Sequence, residues 1–286
     1  LEVRASIRRS KLYHSQAVSE RILKAVSARL ALHGRKDAGT EREGPVQRIW
    51  ARLQEDRLTL SLDSSGDPLH KRGIKTTGGP APLRETLAAG ALMQAGFDSQ
   101  TVLCDPMCGS GTFSIEAAMM VKQIPPGGQR SFAFMDWPAF RTPHWDYLRN
   151  RAAVPAPPLP APRIQASDRS RTAVDQLAAL LPASGLADAI DLQQRDFFDL
   201  SAPATGHRRG LIVINPPYGR RLGQPEATPR LVGEILHKLQ QDFRGWRMLM
   251  ILPAQGLLRQ IPFPVEAQAV MHGGRPVWLT IGDVPA

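Results

Sequence analysis

Only two cysteines occur in 286 residues, Cys104 and Cys108. That excludes a disulfide framework and leaves a cysteine-based zinc site short of ligands. No apolar run comes near the roughly 20 residues that a membrane-spanning helix needs. The longest, "GLIVI" and "MLMILP", have the length of strands. No signal-peptide pattern opens the chain. Its first residue is Leu1, and "LEVRASI" reads as a strand already under way, so a preceding segment is expected. Among the seven histidines no Ser-His-Asp, Cys-His or metal-ligand grouping emerges. The expectation is a reduced, cytoplasmic protein with no membrane partner and no metal.

Acidic residues are also in short supply, 26 against 36 Lys and Arg, giving a net charge of +10. Such an excess favours a polyanionic partner. Its distribution says more than its total. Residues 1–75 hold 16 Lys/Arg and 9 Asp/Glu, so +7 of the +10 lies in the first quarter. Segregation of this kind suits a nucleic-acid-binding module joined to a different one. A hydrophobic fraction of 42% and a charged fraction of 22% are ordinary for a globular chain.

The first quarter reads as a small α+β unit. "LEVRASIRRSKLYH" alternates as a strand and ends in the basic cluster Arg8, Arg9 and Lys11. Val18, Ile22, Leu23, Val26 and Leu30 then recur at helical spacing. "VQRIWARLQEDRLTLSLDSSG" reads as two strands around a Glu-Asp turn. A module over 1–66 is therefore predicted, followed by a basic connector and a helix over 67–96, with Pro82 at the helix opening.

From 97 to 286 strands and helices alternate, which predicts a doubly wound, mostly parallel α/β sheet. "AQAVMHGGRPVWLTIGDV" adds an antiparallel hairpin at its end. An interruption over 124–163 holds Phe132, Phe134, Trp137, Phe140, Trp145 and Tyr147, then five prolines in "VPAPPLPAPR". It is expected to be an irregular insertion with a stiff extended segment.

The chemistry concentrates at strand ends. "VLCDPMCGSGTFSIEAA" is strand, tight loop and helix, with Asp105 closing the strand and Gly109 to Gly111 letting backbone approach a ligand. It is not a P-loop, since Gly-Lys-Ser/Thr is missing, nor a completed dinucleotide fingerprint, since residue 114 is Ser. Asp168 and Asp196 are expected to end the next two strands. One suits a ribose diol; the other, beside Phe197, suits an adenine amino group. Together they outline a nucleoside-binding crevice. The fourth strand, "GLIVI", delivers Asn215, Pro216, Pro217 and Tyr218. Taken alone this tetrapeptide is equally good turn chemistry.

"DPMCGSGTFSIEAA", "SD", "RDFF" and "NPPYGRRLG" resemble class I S-adenosylmethionine-dependent methyltransferases of the Asn-Pro-Pro-Tyr type. "RSKLYH", "LDSSGDPLHKRG" and "APLRETLAAG" narrow the resemblance to bacterial RNA guanine-N2 methyltransferases with an amino-terminal THUMP domain. The resemblance implies a Rossmann-like domain after a partial THUMP-like module. S-adenosylmethionine would be held by Asp105, Pro106, Gly109, Ser110, Gly111, Thr112, Asp168, Asp196, Phe197 and Asn215, leaving S-adenosylhomocysteine as product. Asn215, Pro216, Pro217 and Tyr218 would hold the target base. RNA, expected to be 23S rRNA or a ribosome assembly precursor, would meet Arg8, Arg9, Lys11, His70, Lys71, Arg72, Arg220 and Arg221. The family commonly has a second acid where this chain has Ser170, which removes one ribose contact. The alternatives are transfer to tRNA guanine-N2, transfer to DNA adenine-N6, and a catalytically silent RNA-binding factor.

Overall fold

A computed structural model of the chain describes residues 1–32, 46–74, 83–153, 159, 161–203, 210–217 and 227–286. It divides into two compact units. One comprises Leu1–Leu69 with Arg130–Leu148, the other His70–Gln129 with Arg149–Ala286.

In the first unit, strand β1 (Glu2–Arg8) leads through helix α1 (Ser15–Ala31) to a parallel partner, β2 (Arg48–Gln54). β2 turns back into β3 (Arg57–Leu62) to complete a sheet ordered β1-β2-β3. Glu55 and Asp56 form the turn with φ of 51° and 60°. Two consecutive left-handed residues match the right-handed twist of a tight hairpin. The Asp56 carboxylate accepts from the Lys11 amide at 2.7 Å, tying the basic end of β1 to that turn.

The aromatic stretch departs from expectation twice. It contains regular structure, a 3-10 turn at Ala133–Asp136 and helix α4 (Thr142–Ala152). Its residues 130–148 also fold with the first unit rather than interrupting the second. The sequence shows why only in hindsight. The Arg130 guanidinium donates to the carbonyls of Ser65 (3.1 Å), Asp67 (2.6 Å) and Pro68 (2.9 Å). The Trp137 indole donates to Gln47 Oε1 at 2.6 Å. These bonds cross more than 60 positions of sequence, where no local pattern reveals them.

The second unit is a seven-stranded sheet ordered β6-β5-β4-β7-β8-β10-β9. Its strands are β4 (Val102–Asp105), β5 (Ile164–Asp168), β6 (Ile190–Gln194), β7 (Gly210–Ile214), β8 (Arg247–Leu252), β9 (Val265–His272) and β10 (Arg275–Asp283). β4 through β8 are parallel, and the β9–β10 hairpin joins antiparallel to β8. Helices α2 (Glu85–Gln94), α3 (Thr112–Val121), α5 (Arg171–Ser184) and α6 (Ala227–Asp242) cover it.

Strand periodicity explains the layers. Leu103, Leu211, Val213, Leu249 and Ile251 face one core with α2, α3 and α5. Their neighbours Val102, Cys104, Ile212, Ile214, Met248 and Met250 face the other with α6. A strand buried on both faces reads as a continuous apolar run, as "GLIVI" does. Strand order reverses between β4 and β7, so the crevice beyond their carboxyl ends is where ligands bind in open α/β sheets. No helix among the described residues is long and apolar enough to cross a membrane.

Candidate active site

At the end of β4, Asp105 is 1% exposed and accepts from the Ser114 hydroxyl at 2.6 Å. Ser114 belongs to the first turns of α3, so the carboxylate is fixed against the helix that follows its own loop. The loop turns through Gly109 and Gly111, with φ of 53° and 72°. The two glycines serve different ends. A Cβ on Gly109 would meet nothing within 4 Å, whereas one on Gly111 would lie 2.6 Å from Leu177 of α5. Gly109 borders the crevice; Gly111 caps α3 and lets α5 pack close behind it.

Asp168, at the end of β5, accepts from the Gly109 amide at 2.9 Å and the Ser170 amide at 2.8 Å. One carboxylate thus locks the β4 loop to the β5 loop. Each oxygen keeps a lone pair for a ligand hydroxyl. Ser170, where the second acid was absent, is the N-cap of α5 and accepts from the Ala173 amide. Asp196 lies two residues beyond β6 rather than ending it. Its side chain accepts from the Phe198 amide at 3.0 Å and caps a short 3-10 turn.

β7 delivers Asn215. Its Oδ1 is buried and has no hydrogen-bond partner among the described residues. Pro216, next in the chain, is buried, and Pro217 is half-buried. A shielded amide oxygen with no donor is costly in a folded chain, on the order of 1–3 kcal/mol. At a strand end beside the crevice, such an acceptor is a candidate for a ligand donor.

Two lobes meet at these residues. The larger, about 500 Å³, is lined by Pro106, Asp196, Phe198, Pro217 and the α6 residues Arg230, Leu231 and Glu234, among others. The smaller, about 390 Å³, is lined by Leu83, Asp105, Ser110, Thr112 and Ser170, among others. Met107, Gly109, Asp168 and Asn215 line both. Asn215 is thus one of four residues that border both lobes.

Several predicted residues sit elsewhere. Gly111 lines neither lobe, because its αL conformation and the Leu177 contact place it behind the loop. Phe197 borders the larger lobe but is only 2% exposed, with its ring 6.1 Å from Phe243 in the core, so little of it is left to flank an adenine. Phe198, at 39%, is the open ring. The Arg72 guanidinium pairs with both oxygens of buried Glu116 at 3.2 Å, so it is a structural tie and not an RNA contact. Arg8, Arg9, Lys11 and Lys71 are exposed and His70 is half-buried. Tyr218, Arg220, Arg221 and Pro82 lie outside the described residues.

Sequence reasoning missed Ser114, Phe198 and the face of α6. Ala227, Arg230, Leu231 and Glu234 stand at helical spacing, a signal present in the sequence but silent about which face meets the crevice. Burial raises the Cys104 thiol to about 12, with the neighbouring Asp105 charge adding to it. Cys104 is thus a neutral core residue, not a nucleophile. No group of His, Cys, Asp and Glu among the described residues could hold a metal ion.

Residues 72–261 match the family model described as "RMKL-like, methyltransferase domain". The chain belongs to that family. The ribosomal RNA large subunit methyltransferase K/L of Marinomonas sp. strain MWYL1 is 37% identical over 258 residues, 86% of this chain. The chain spans only 35% of that protein's length. Among solved structures, SMU.472, a methyltransferase candidate crystallised with S-adenosylhomocysteine, superposes with a TM-score of 0.82 and 25% identity. The match covers 100% of this chain and 75% of that one. A Listeria monocytogenes protein named as a predicted N6-adenine-specific DNA methylase gives a TM-score of 0.81 with 26% identity, covering 99% of this chain and 73% of that one. The fold is the class I methyltransferase fold, mostly parallel with an antiparallel carboxyl-terminal hairpin.

Proposed function

We propose that the chain is an S-adenosylmethionine-dependent RNA methyltransferase that modifies N2 of a guanosine, with 23S rRNA as substrate. The observation that carries the reading is the buried Oδ1 of Asn215, without a partner among the described residues and on a side chain that borders both lobes. The name of the Marinomonas relative supports ribosomal RNA as the substrate. The basic first quarter supports an RNA-binding module, THUMP-like in its first 66 residues.

The crevice suits the cofactor. Asp168 has lone pairs for ribose hydroxyls, Asp196 and Phe198 border the space for an adenine, and Asp105 with Gly109 borders the smaller lobe for the amino-acid end. S-adenosylmethionine, when bound, supplies a methyl group already activated by its positive sulfur. The protein's task is to prepare the nitrogen. A guanine amino group is a poor nucleophile because its lone pair is delocalised into the ring. Asn215 Oδ1 accepts one of its N–H bonds and the Pro216 carbonyl the other, which draws the nitrogen toward tetrahedral geometry. The double proline holds both acceptors rigidly and supplies no competing donor. This is positioning with preorganised dipoles, and it needs neither a covalent intermediate nor a metal.

The same two acceptors serve any exocyclic amine. The Listeria protein's name makes adenine-N6 in DNA the second reading. Labelled methyl transfer to unmodified rRNA, tRNA and DNA in parallel separates them, with the modified nucleoside identified by mass spectrometry. N2-methylguanosine in rRNA, lost in Asn215→Ala, is the expected result. Label confined to DNA adenine overturns the RNA assignment, and label in tRNA moves the substrate.

A further inference from the structure

Six of the chain's seventeen aromatic residues fall within 132–147, and the crevice uses none of them. Four of them line a second cavity of about 430 Å³ wholly inside the first unit. Its walls are Phe134, Trp137, Phe140 and Trp145, and Arg141 and His144 also line it. No acidic residue is among its lining. The rings brace one another: Phe134 lies 5.3 Å from Trp145 and 5.9 Å from Phe140, centroid to centroid. Trp137 is held from outside by its bond to Gln47. Phe132, stacked 5.2 Å from Phe134 but outside the lining, carries a flat cation on its face, the Arg130 guanidinium 4.8 Å from the ring centre.

We infer that this cavity is a subsite for an unpaired nucleobase of the substrate RNA, with Arg141 and His144 meeting the adjoining phosphate. The inference rests on the RNA reading above. Concave aromatic walls fit a flat ring with two π-faces, and the exposed Arg141 guanidinium beside them fits the anionic backbone that accompanies it. A bilayer surface would call for rings on a convex face, and an acidic ligand without a ring would leave the walls unused. An unpaired base beyond the target nucleotide also gives a methyltransferase a means of choosing its site, since single-stranded loops are where proteins read RNA bases.

The test uses the whole chain and single-stranded oligoribonucleotides carrying 2-aminopurine, whose emission falls on stacking, with matched duplexes as comparison. Emission is expected to fall on binding for the single strand and to stay level for the duplex. Phe140→Ala and Arg141→Glu should each weaken single-strand binding roughly 5- to 150-fold, the range for losing one base–aromatic or phosphate contact. Arg141 is exposed, so its replacement tests the site even where Phe140→Ala unfolds. Variants that bind as the wild type does overturn the inference. So does a concentration-dependent dimer that Arg141→Glu dissolves, which gives the cavity to a second copy. Methyl transfer to rRNA by a protein whose single-strand binding ignores both residues removes the subsite and leaves the reaction standing. Binding that needs both residues, without transfer to any RNA, removes the reaction and keeps the subsite.

Discussion

Truncating Asn215 to alanine should make the protein more stable and nearly inactive. Oδ1 is buried with no donor among the described residues, so the folded chain carries its desolvation cost, about 1–3 kcal/mol, without a compensating bond from them. The side chain borders both lobes, so its removal widens an existing crevice and opens no closed void. Lost van der Waals contacts offset part of the gain, leaving roughly 1 kcal/mol in favour of the variant. In a domain of this size that corresponds to a rise in Tm of about 2–4 °C. Removing one preorganised acceptor should meanwhile lower methyl transfer by about 10²–10³. Calorimetry must be run without cofactor, because a ligand bound only to the folded wild type raises its apparent stability. A Tm lowered by several degrees would mean that Asn215 is structural. Transfer reduced less than tenfold would mean that another group prepares the amine.

Breaking the buried Arg72–Glu116 pair by Arg72→Ala should lower stability in urea denaturation, because Glu116, at 3% side-chain exposure, loses both hydrogen bonds from the guanidinium. Replacing both by apolar residues of similar size should recover most of that loss. Gly111→Ala should lose about 2–4 kcal/mol from its φ of 72° and the 2.6 Å approach to Leu177. Gly109→Ala, free of such a contact, should lose less stability but weaken cofactor binding in titration calorimetry. With the Cys104 thiol raised to about 12, its contribution is intact below the unfolded value near 9 and is lost as pH rises between the two. Wild type should therefore lose stability faster than Cys104→Ala over that window, by up to about 1.4 kcal/mol per pH unit. Equal slopes would place the thiol in solvent.

What the sequence showed of the fold was its local part. The central strands β7 and β8 were legible because both-face burial writes them as short apolar runs, "GLIVI" and "RMLMIL". The Gly273-Gly274 turn announced the terminal hairpin in the same way. The largest error came from contacts between distant positions. Proline and aromatic content made 124–163 look unstructured, yet Arg130 and Trp137 tie part of it to residues 47–68. Asp105, Asp168 and Asn215 were found because a strand's carboxyl end must place its next residue at the crevice. Phe197 and Phe198 could not be told apart that way. Past the end of β6 the strand's alternation no longer applies, and the 3-10 turn capped by Asp196 decides which ring enters the core. Arg72 carried the same ambiguity in charge. A cation in a basic connector reads as an RNA contact until its partner on α3, 44 positions away, is in view. The dependable part of the site is thus the part fixed by strand ends. Side chains placed by turns and by long-range pairing are the ones whose roles the variants above must decide.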